Sequence, residues 1–265
     1  MEIAGLNLPE IQPGSVWLVG AGPGDPGLIT LLGAHGLAHA EAVVYDALVD
    51  KAILELAGKD ARMIFAGKRG GRPSPDQEDI SNRLVSLARA GRRVLRLKGG
   101  DPCIFGRGGE EAQALARAGI PFRLVPGITA GIGGLAYAGI PATHRETNPA
   151  ITFITGAAAG GKVPTDLDWA ALARGSPTLV IYMALRNLAP IASLLIEAGR
   201  DAAEPVAVIS DATLPGQRTL VTTLETAAAD AESRGMTPPA LVVVGRNVAF
   251  HAELAWFREL SGTRP

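Results

Sequence analysis

Arg96-Leu-Lys-Gly-Gly-Asp-Pro-Cys-Ile-Phe-Gly-Arg-Gly-Gly109 follows directly on Val94 and Leu95 and turns a branched apolar run into a loop. Five glycines, an acid and a proline fall here before Glu110 opens a segment with helical spacing. Glycine loses the most freedom on ordering and proline cannot donate to a ladder, so the passage costs both strand and helix propensity. A chain that accepts this at the end of a strand brings backbone close to a ligand. Strand, glycine loop and helix in that order form a repeating unit of α/β folds.

The same texture extends upstream. Residues 16–19 are a short apolar run halted by Gly20-Ala-Gly-Pro-Gly-Asp-Pro-Gly27, and residues 28–39 return to helical spacing. The dinucleotide fingerprint G-x-G-x-x-G needs glycine where Asp25 stands, and Pro23 and Pro26 obstruct an early helical turn. These features argue against a nicotinamide site. Residues 42–45 read as a buried strand ending at Asp46. In open α/β sheets the carboxyl ends of strands line the ligand crevice, so Asp46 is a functional candidate, and a helix cap is the equally open alternative. Residues 62–65 give a third strand, followed by Gly67-Lys-Arg-Gly-Gly-Arg-Pro-Ser-Pro75, a loop with three cations. Such a loop is either solvated or a binder of carboxylates or phosphates.

Residues 77–89 place Ile80, Leu84, Leu87 and Ala88 on one helical face, with Gly91 as the stop. Residues 93–97 read as a fourth strand, 110–118 as a helix stopped by Gly119, and 122–125 as a fifth strand. Five strands alternating with helices predict one mostly parallel α/β domain over residues 1–128. Small residues then precede Tyr137, and Ile140-Pro-Ala-Thr-His-Arg145 reads as a junction. Strands are expected at 151–155, 178–182, 205–210, 218–222 and 241–244, with helices at 188–198 and 225–234. Several of these lie too close together for helical crossovers, so the second domain, 129–265, is expected to hold hairpins and a mixed sheet. Two α/β domains with the active site in a cleft between them is the predicted architecture, and His144-Arg145 is a cationic pair placed to face that cleft.

Composition bounds the function. A net charge of −1 leaves no nucleic-acid footprint, so an anionic ligand must be met by local cations. Cys103 is the one cysteine, which excludes an intrachain disulfide and a cysteine zinc site. Residues 1–14 carry Glu2 and Glu10 and no basic residue, unlike a signal peptide, and no apolar run approaches the ~18 residues of a membrane span. The expectation is a soluble, cytoplasmic protein with neither membrane nor nucleic-acid partner.

Taken together, residues 19–27, Val44-Tyr-Asp-Ala-Leu-Val49, Gly67-Lys-Arg69, residues 96–108, Val125-Pro-Gly-Ile-Thr-Ala130 and Gly139-Ile-Pro-Ala-Thr-His-Arg145 resemble the tetrapyrrole methylase family. Within the family they are most similar to the member that methylates uroporphyrinogen III at C2 and C7, giving precorrin-2 by way of precorrin-1. The resemblance runs from about residue 16 to residue 257. It implies S-adenosylmethionine as methyl donor and S-adenosylhomocysteine as product, with no metal. By similarity, Pro23, Gly99, Gly100, Asp101, Ile104, Thr129, Ala130, Met183, Ala212 and Ala240 hold the cofactor. Asp46 matches a proton acceptor and Lys68 a proton donor. The substrate's carboxylates require cations, and Arg69, Lys98, Arg107, His144 and Arg145, at strand ends or at the junction where a cleft would expose them, are the candidates. A homodimer is implied, and a stand-alone methyltransferase without a preceding dehydrogenase region. Where relatives often read Thr-Gly-His, this chain has Thr155-Gly-Ala-Ala-Ala-Gly160, so no imidazole is supplied there. A later precorrin methyltransferase or a diphthine synthase is the neighbouring alternative, and a nucleotide-binding oxidoreductase the alternative from another class.

Overall fold

The computed structural model describes residues 6–67, 77–158 and 160–257. The chain divides into two compact units, Met1–Thr129 and Ala130–Pro265.

In the first unit β1 (Val16–Gly20), α1 (Leu31–His39), β2 (Ala42–Tyr45), α2 (Lys51–Leu54), β3 (Arg62–Phe65), α3 (Gln77–Arg89), β4 (Val94–Lys98), α4 (Gly108–Arg117) and β5 (Phe122–Val125) alternate along the chain. The strands lie in the order β3-β2-β4-β1-β5, and every pair is parallel. Side chains alternate between the two sides of a strand. Val16 and Leu18 therefore pack with Val44, Ile64, Leu84, Ala112 and Leu115, while Trp17 and Val19 pack with Leu37, Val43, Ile53 and Leu95. Helices cover both faces, which is why these strands read as near-continuous apolar runs. Each fully buried Leu or Ile contributes about 1.5–3 kcal/mol relative to exposure.

The local differences from the sequence expectation have identifiable causes. Pro26–Leu28 forms a separate 3-10 turn, and α1 begins at Leu31 because Thr30 Oγ1 accepts the Gly33 amide at 3.0 Å. Helix α4 begins two residues earlier than expected, behind Arg107 in the left-handed conformation. The short α2, unforeseen in the sequence, is capped by Asp50, whose carboxylate accepts the Ala52 amide at 2.9 Å. Strand β5 forms one edge of the sheet, with Phe122, Arg123 and Leu124 exposed between Pro121 and Pro126. The Arg123 guanidinium lies 5.1 Å from the centre of the Trp17 ring.

The second unit contains α5 (Ala130–Tyr137), β6 (Thr152–Thr155), α6 (Trp169–Gly175), β7 (Thr178–Tyr182), α7 (Leu188–Glu197), β8 (Pro205–Ser210), β9 (Arg218–Thr223), α8 (Ala227–Ser233), β10 (Ala240–Gly245) and α9 (His251–Leu254). Its sheet has the order β6-β7-β10-β8-β9. β6 and β7 are parallel, β10 runs antiparallel between β7 and β8, and β8 and β9 form a hairpin. The sheet is thus mixed, as the spacing predicts. Leu179, Ile181, Val206, Val208, Val242 and Val244 meet Trp169, Ile191, Leu195 and Ala227 on one face. On the other, Val180, Ala207, Ile209 and Val243 meet Leu135, Ala138 and Val248. Among the described residues no helix is long and apolar enough to cross a membrane.

Candidate active site

The carboxyl edge of the parallel sheet is a knot of backbone. Gly22 and Gly100, at the ends of β1 and β4, exchange hydrogen bonds of 3.2 and 2.7 Å. A methyl group at Gly127, after β5, would lie 2.3 Å from the Gly100 carbonyl oxygen, and one at Gly20 would lie 2.6 Å from it. No side chain fits at either position. Gly100 itself has φ 68°, a conformation open to glycine at little steric cost. Asp101 clips the arrangement together: Oδ1 accepts the Cys103 amide at 2.8 Å and Oδ2 the Gly127 amide at 3.0 Å. Both carboxylate oxygens of Asp101 thus serve the loops, which is the turn-capping role of such a residue.

A charge cluster lies beside this knot. Asp46 directly follows β2, and its Oδ1 accepts the amides of Leu48 at 3.0 Å and Gly99 at 3.4 Å. Arg96 Nη2 stands 3.9 Å from Asp46 Oδ2. The same guanidinium donates through Nε to Glu111 Oε1 at 3.1 Å and through Nη1 to the carbonyls of Leu97 and Val44. Lys98 Nζ donates to the same Glu111 oxygen at 3.2 Å. Glu111 is fully buried, and Arg96 and Lys98 are 2% and 4% exposed. Burial, and then the charge of Arg96, push the Lys98 ammonium below its ordinary pKa, with Glu111 and Asp46 opposing.

Lys98 therefore differs from its expected exposure. Strand β4 runs on to residue 98, so Arg96 and Lys98, two apart, point to the same side, where α4 supplies Glu111. Sequence reasoning missed Glu111, although a signal existed: two cations on one face of a buried strand demand a buried acid. Arg107 is an exposed cation, with Nη2 2.6 Å from Glu110 Oε2.

In the second unit the register gathers Met183, Ala212 and Ala240 at one edge of the sheet. Tyr182 lies opposite Leu241 and Ser210 opposite Ala240, so the residues following β7 and β8 flank the start of β10. The Asp211 amide donates to the Pro239 carbonyl at 3.0 Å. The Gly131 amide donates to the Tyr182 hydroxyl at 2.7 Å, which draws the start of α5, with Ala130, to this edge. Further along α5, a methyl group at Gly134 would lie 2.9 Å from the Ala212 Cβ.

Backbone strain marks the same places. Among the described residues the non-glycine positions in the left-handed region are Phe105, Arg107, Met183, Asp211 and Thr213. Each is adjacent to, identical with or within three residues of a sequence-predicted cofactor position. Such conformations cost about 1–3 kcal/mol each and persist where the surroundings or function impose them. Leu48, Phe105 and Met183 expose 62%, 41% and 52% of their surface at strand ends of their own units. Within the first unit Leu48 lies against Gly99, so that exposed apolar surface adjoins close-packed backbone, a combination suited to a ligand with both flat apolar and polar parts.

The remaining predicted residues are placed as follows. Pro23 lies in the loop after β1 and Ile104 in the loop after β4, both partly buried, and Thr129 is buried beyond β5. The His144 ring packs against Phe250 with centres 4.3 Å apart and planes tilted by 44°, and the His144 backbone bridges to Asn148, while Arg145 is exposed. Lys68 and Arg69 lie outside the described residues. Among the described residues no group of His, Cys, Asp and Glu could hold a metal ion.

Residues 15–228 match the family described as Tetrapyrrole (Corrin/Porphyrin) Methylases. A uroporphyrinogen-III C-methyltransferase from Sinorhizobium sp is 57% identical over 97% of this chain and 92% of its own length. A siroheme synthase from Sodalis glossinidius is 54% identical over 95% of this chain, which spans 53% of that protein. Among solved structures, the uroporphyrin-III C-methyl transferase from Thermus thermophilus complexed with S-adenyl homocysteine superposes with a TM-score of 0.77 at 40% identity, covering 89% of this chain and 99% of the other. The family match, the near end-to-end identity and the shared fold lead to one conclusion: the chain belongs to the tetrapyrrole methylase family.

Proposed function

We propose that this protein transfers methyl groups from S-adenosylmethionine to C2 and C7 of uroporphyrinogen III, giving precorrin-2 by way of precorrin-1. The observation that carries the reading is the 57% identity to the Sinorhizobium enzyme across 97% of this chain and 92% of that one. S-adenosylmethionine supplies, when bound, an electrophilic methyl carbon and leaves as S-adenosylhomocysteine. Pro23, Gly99, Gly100, Asp101, Ile104 and Thr129 of the first unit, with Ala130, Met183, Ala212 and Ala240 of the second, hold it. Asp101 does so by fixing the loops, since both its oxygens accept backbone amides. Catalysis rests mainly on alignment and exclusion of water.

Asp46 accepts the proton released from the macrocycle, with its Oδ1 fixed by two amides and its Oδ2 the freer oxygen. Lys68 is the proton donor. Arg69, Arg107, His144 and Arg145 meet the substrate carboxylates, and Lys98 contributes charge from its buried pair with Glu111. The product feeds sirohaem or cobalamin synthesis in the cytoplasm. The protein works as a homodimer, a reading supported by the exposed apolar side chains Ile132, Leu254 and Trp256. Light scattering that finds a monomer would overturn the assembly.

The decisive assay incubates the protein with uroporphyrinogen III and S-adenosylmethionine and follows the absorbance of the oxidised dimethyl product. Two methyl groups per macrocycle are expected. No methylation, with S-adenosylhomocysteine binding intact, would point to a different acceptor within the family.

A further inference from the structure

Glu111 is a carboxylate with no exposure to solvent, buried between two cations. Buried ion clusters rarely stabilise a fold more than apolar side chains of the same volume would, because desolvation offsets the attraction. Stability alone therefore gives little reason for Glu111, and geometry gives another. Arg96 reaches both carboxylates. It stands at hydrogen-bond distance from Glu111, 3.1 Å, and only at 3.9 Å from Asp46 Oδ2. Two further donations, to the carbonyls of Leu97 and Val44, hold the guanidinium in that position.

We propose that Glu111 is a positioning residue: it retains Arg96 short of direct pairing with Asp46, so that Asp46 Oδ2 stays available for a proton. The assignment rests on the functional reading above, in which Asp46 is the acceptor. Without the Glu111 charge, Asp46 is the remaining carboxylate within reach of Arg96 among the described residues. A guanidinium drawn up to a carboxylate makes a strong charge-assisted hydrogen bond, which would engage Oδ2, the oxygen left by the two amides on Oδ1, and weaken the base. Lys98 assists by sharing the Glu111 oxygen, which sets how much of that charge Arg96 receives.

The test uses the full chain and three variants. Glu111→Gln is expected to lower kcat for uroporphyrinogen III about 10- to 100-fold, the scale of a catalytic group displaced by about 1 Å. The KM and the affinity for S-adenosylhomocysteine, read by calorimetry, should stay within about threefold, as befits a loss felt only in the transition state. The Arg96→Gln/Glu111→Gln double variant should recover part of the lost kcat, because the arginine that would clamp Asp46 is gone. Glu111→Asp, which keeps the buried charge, should show a smaller loss in the same direction and serves if Glu111→Gln does not fold. Wild-type kcat in the single variants, or a double variant slower than Glu111→Gln, would overturn the assignment. Absence of turnover by the wild-type protein would overturn the functional reading and this assignment with it.

Discussion

The two sheets of this protein reach their site edges by different chemistry. The first sheet is all parallel, and its carboxyl edge carries Asp46, Arg96, Lys98 and Asp101 beside glycines packed backbone to backbone. The second is mixed, and its edge at the start of β10 offers Met183 on strained backbone, Ala212 between the strained Asp211 and Thr213, and Ala240. A parallel sheet points all its strand ends one way, so charge can be concentrated there from several strands. In the mixed sheet β10 starts where β7 and β8 end, and the edge is built from main chain and small side chains. Charged side chains thus gather at the edge of the parallel sheet, and the mixed sheet has Met183 and two alanines at its own.

The largest expected effect falls on the charged edge. Asp46→Asn should lower kcat by about 10²–10⁴, the usual contribution of a positioned proton acceptor, with S-adenosylhomocysteine binding unchanged in calorimetry. Equal loss of cofactor affinity would erase the contrast between the edges.

A second comparison sets glycine against glycine. Gly127→Ala places a methyl 2.3 Å from the Gly100 oxygen, whereas Gly175, at the end of α6, has nothing within 4 Å of an added methyl. Overpacking against backbone should cost about 1–3 kcal/mol at Gly127, and Gly175→Ala should be neutral or slightly stabilising, both read as shifts in Tm. Similar shifts at the two sites would contradict the interlocked edge.

Met183 probes the other sheet. With φ 56° and half its surface exposed, Met183→Gly should relieve about 1 kcal/mol of strain and raise Tm while weakening S-adenosylhomocysteine binding. A rise in affinity would remove Met183 from the seat.

The smallest effect concerns pH. The Lys98 pKa is held below the ordinary lysine value of 10.5, chiefly by burial. Between the lowered value and 10.5 the unfolded chain keeps a proton that the folded one has released, so this group makes stability rise with pH in that window. Urea titrations up to about pH 10 should show that rise in the wild type and its absence in Lys98→Met. An unchanged slope would mean that another group carries it.

Much of this was legible in the sequence because the strands are short apolar runs closed by Gly, Pro or Asp, and residues 62–65 and 178–182 match β3 and β7 end to end. The helices α2, α6 and α9 were not legible. They span four to seven residues, too few for a periodic pattern, and α2 and α6 rest on single caps, Asp50 and Asp168. Nor could spacing reveal that β10 lies between β7 and β8, since pairing across long separations is decided by tertiary packing. The glycine loops announced the site, but the exposure of Lys98 was misjudged. Its fate depends on Glu111, thirteen residues on and on a different element, a distance at which local pattern carries no information.

The edge strand β5 has one further consequence. An edge strand offers its outward backbone groups to another chain's strand, and Phe122 and Leu124 on this one are exposed. Here the opening is only four residues long, with a proline on either side and Arg123 drawn over Trp17 in its middle. An incoming strand would find neither the length nor the uncharged surface to propagate. A charge and flanking prolines on a short edge are the features that discourage edge-to-edge pairing, which matters most for parallel sheets, whose non-local pairings assemble slowly.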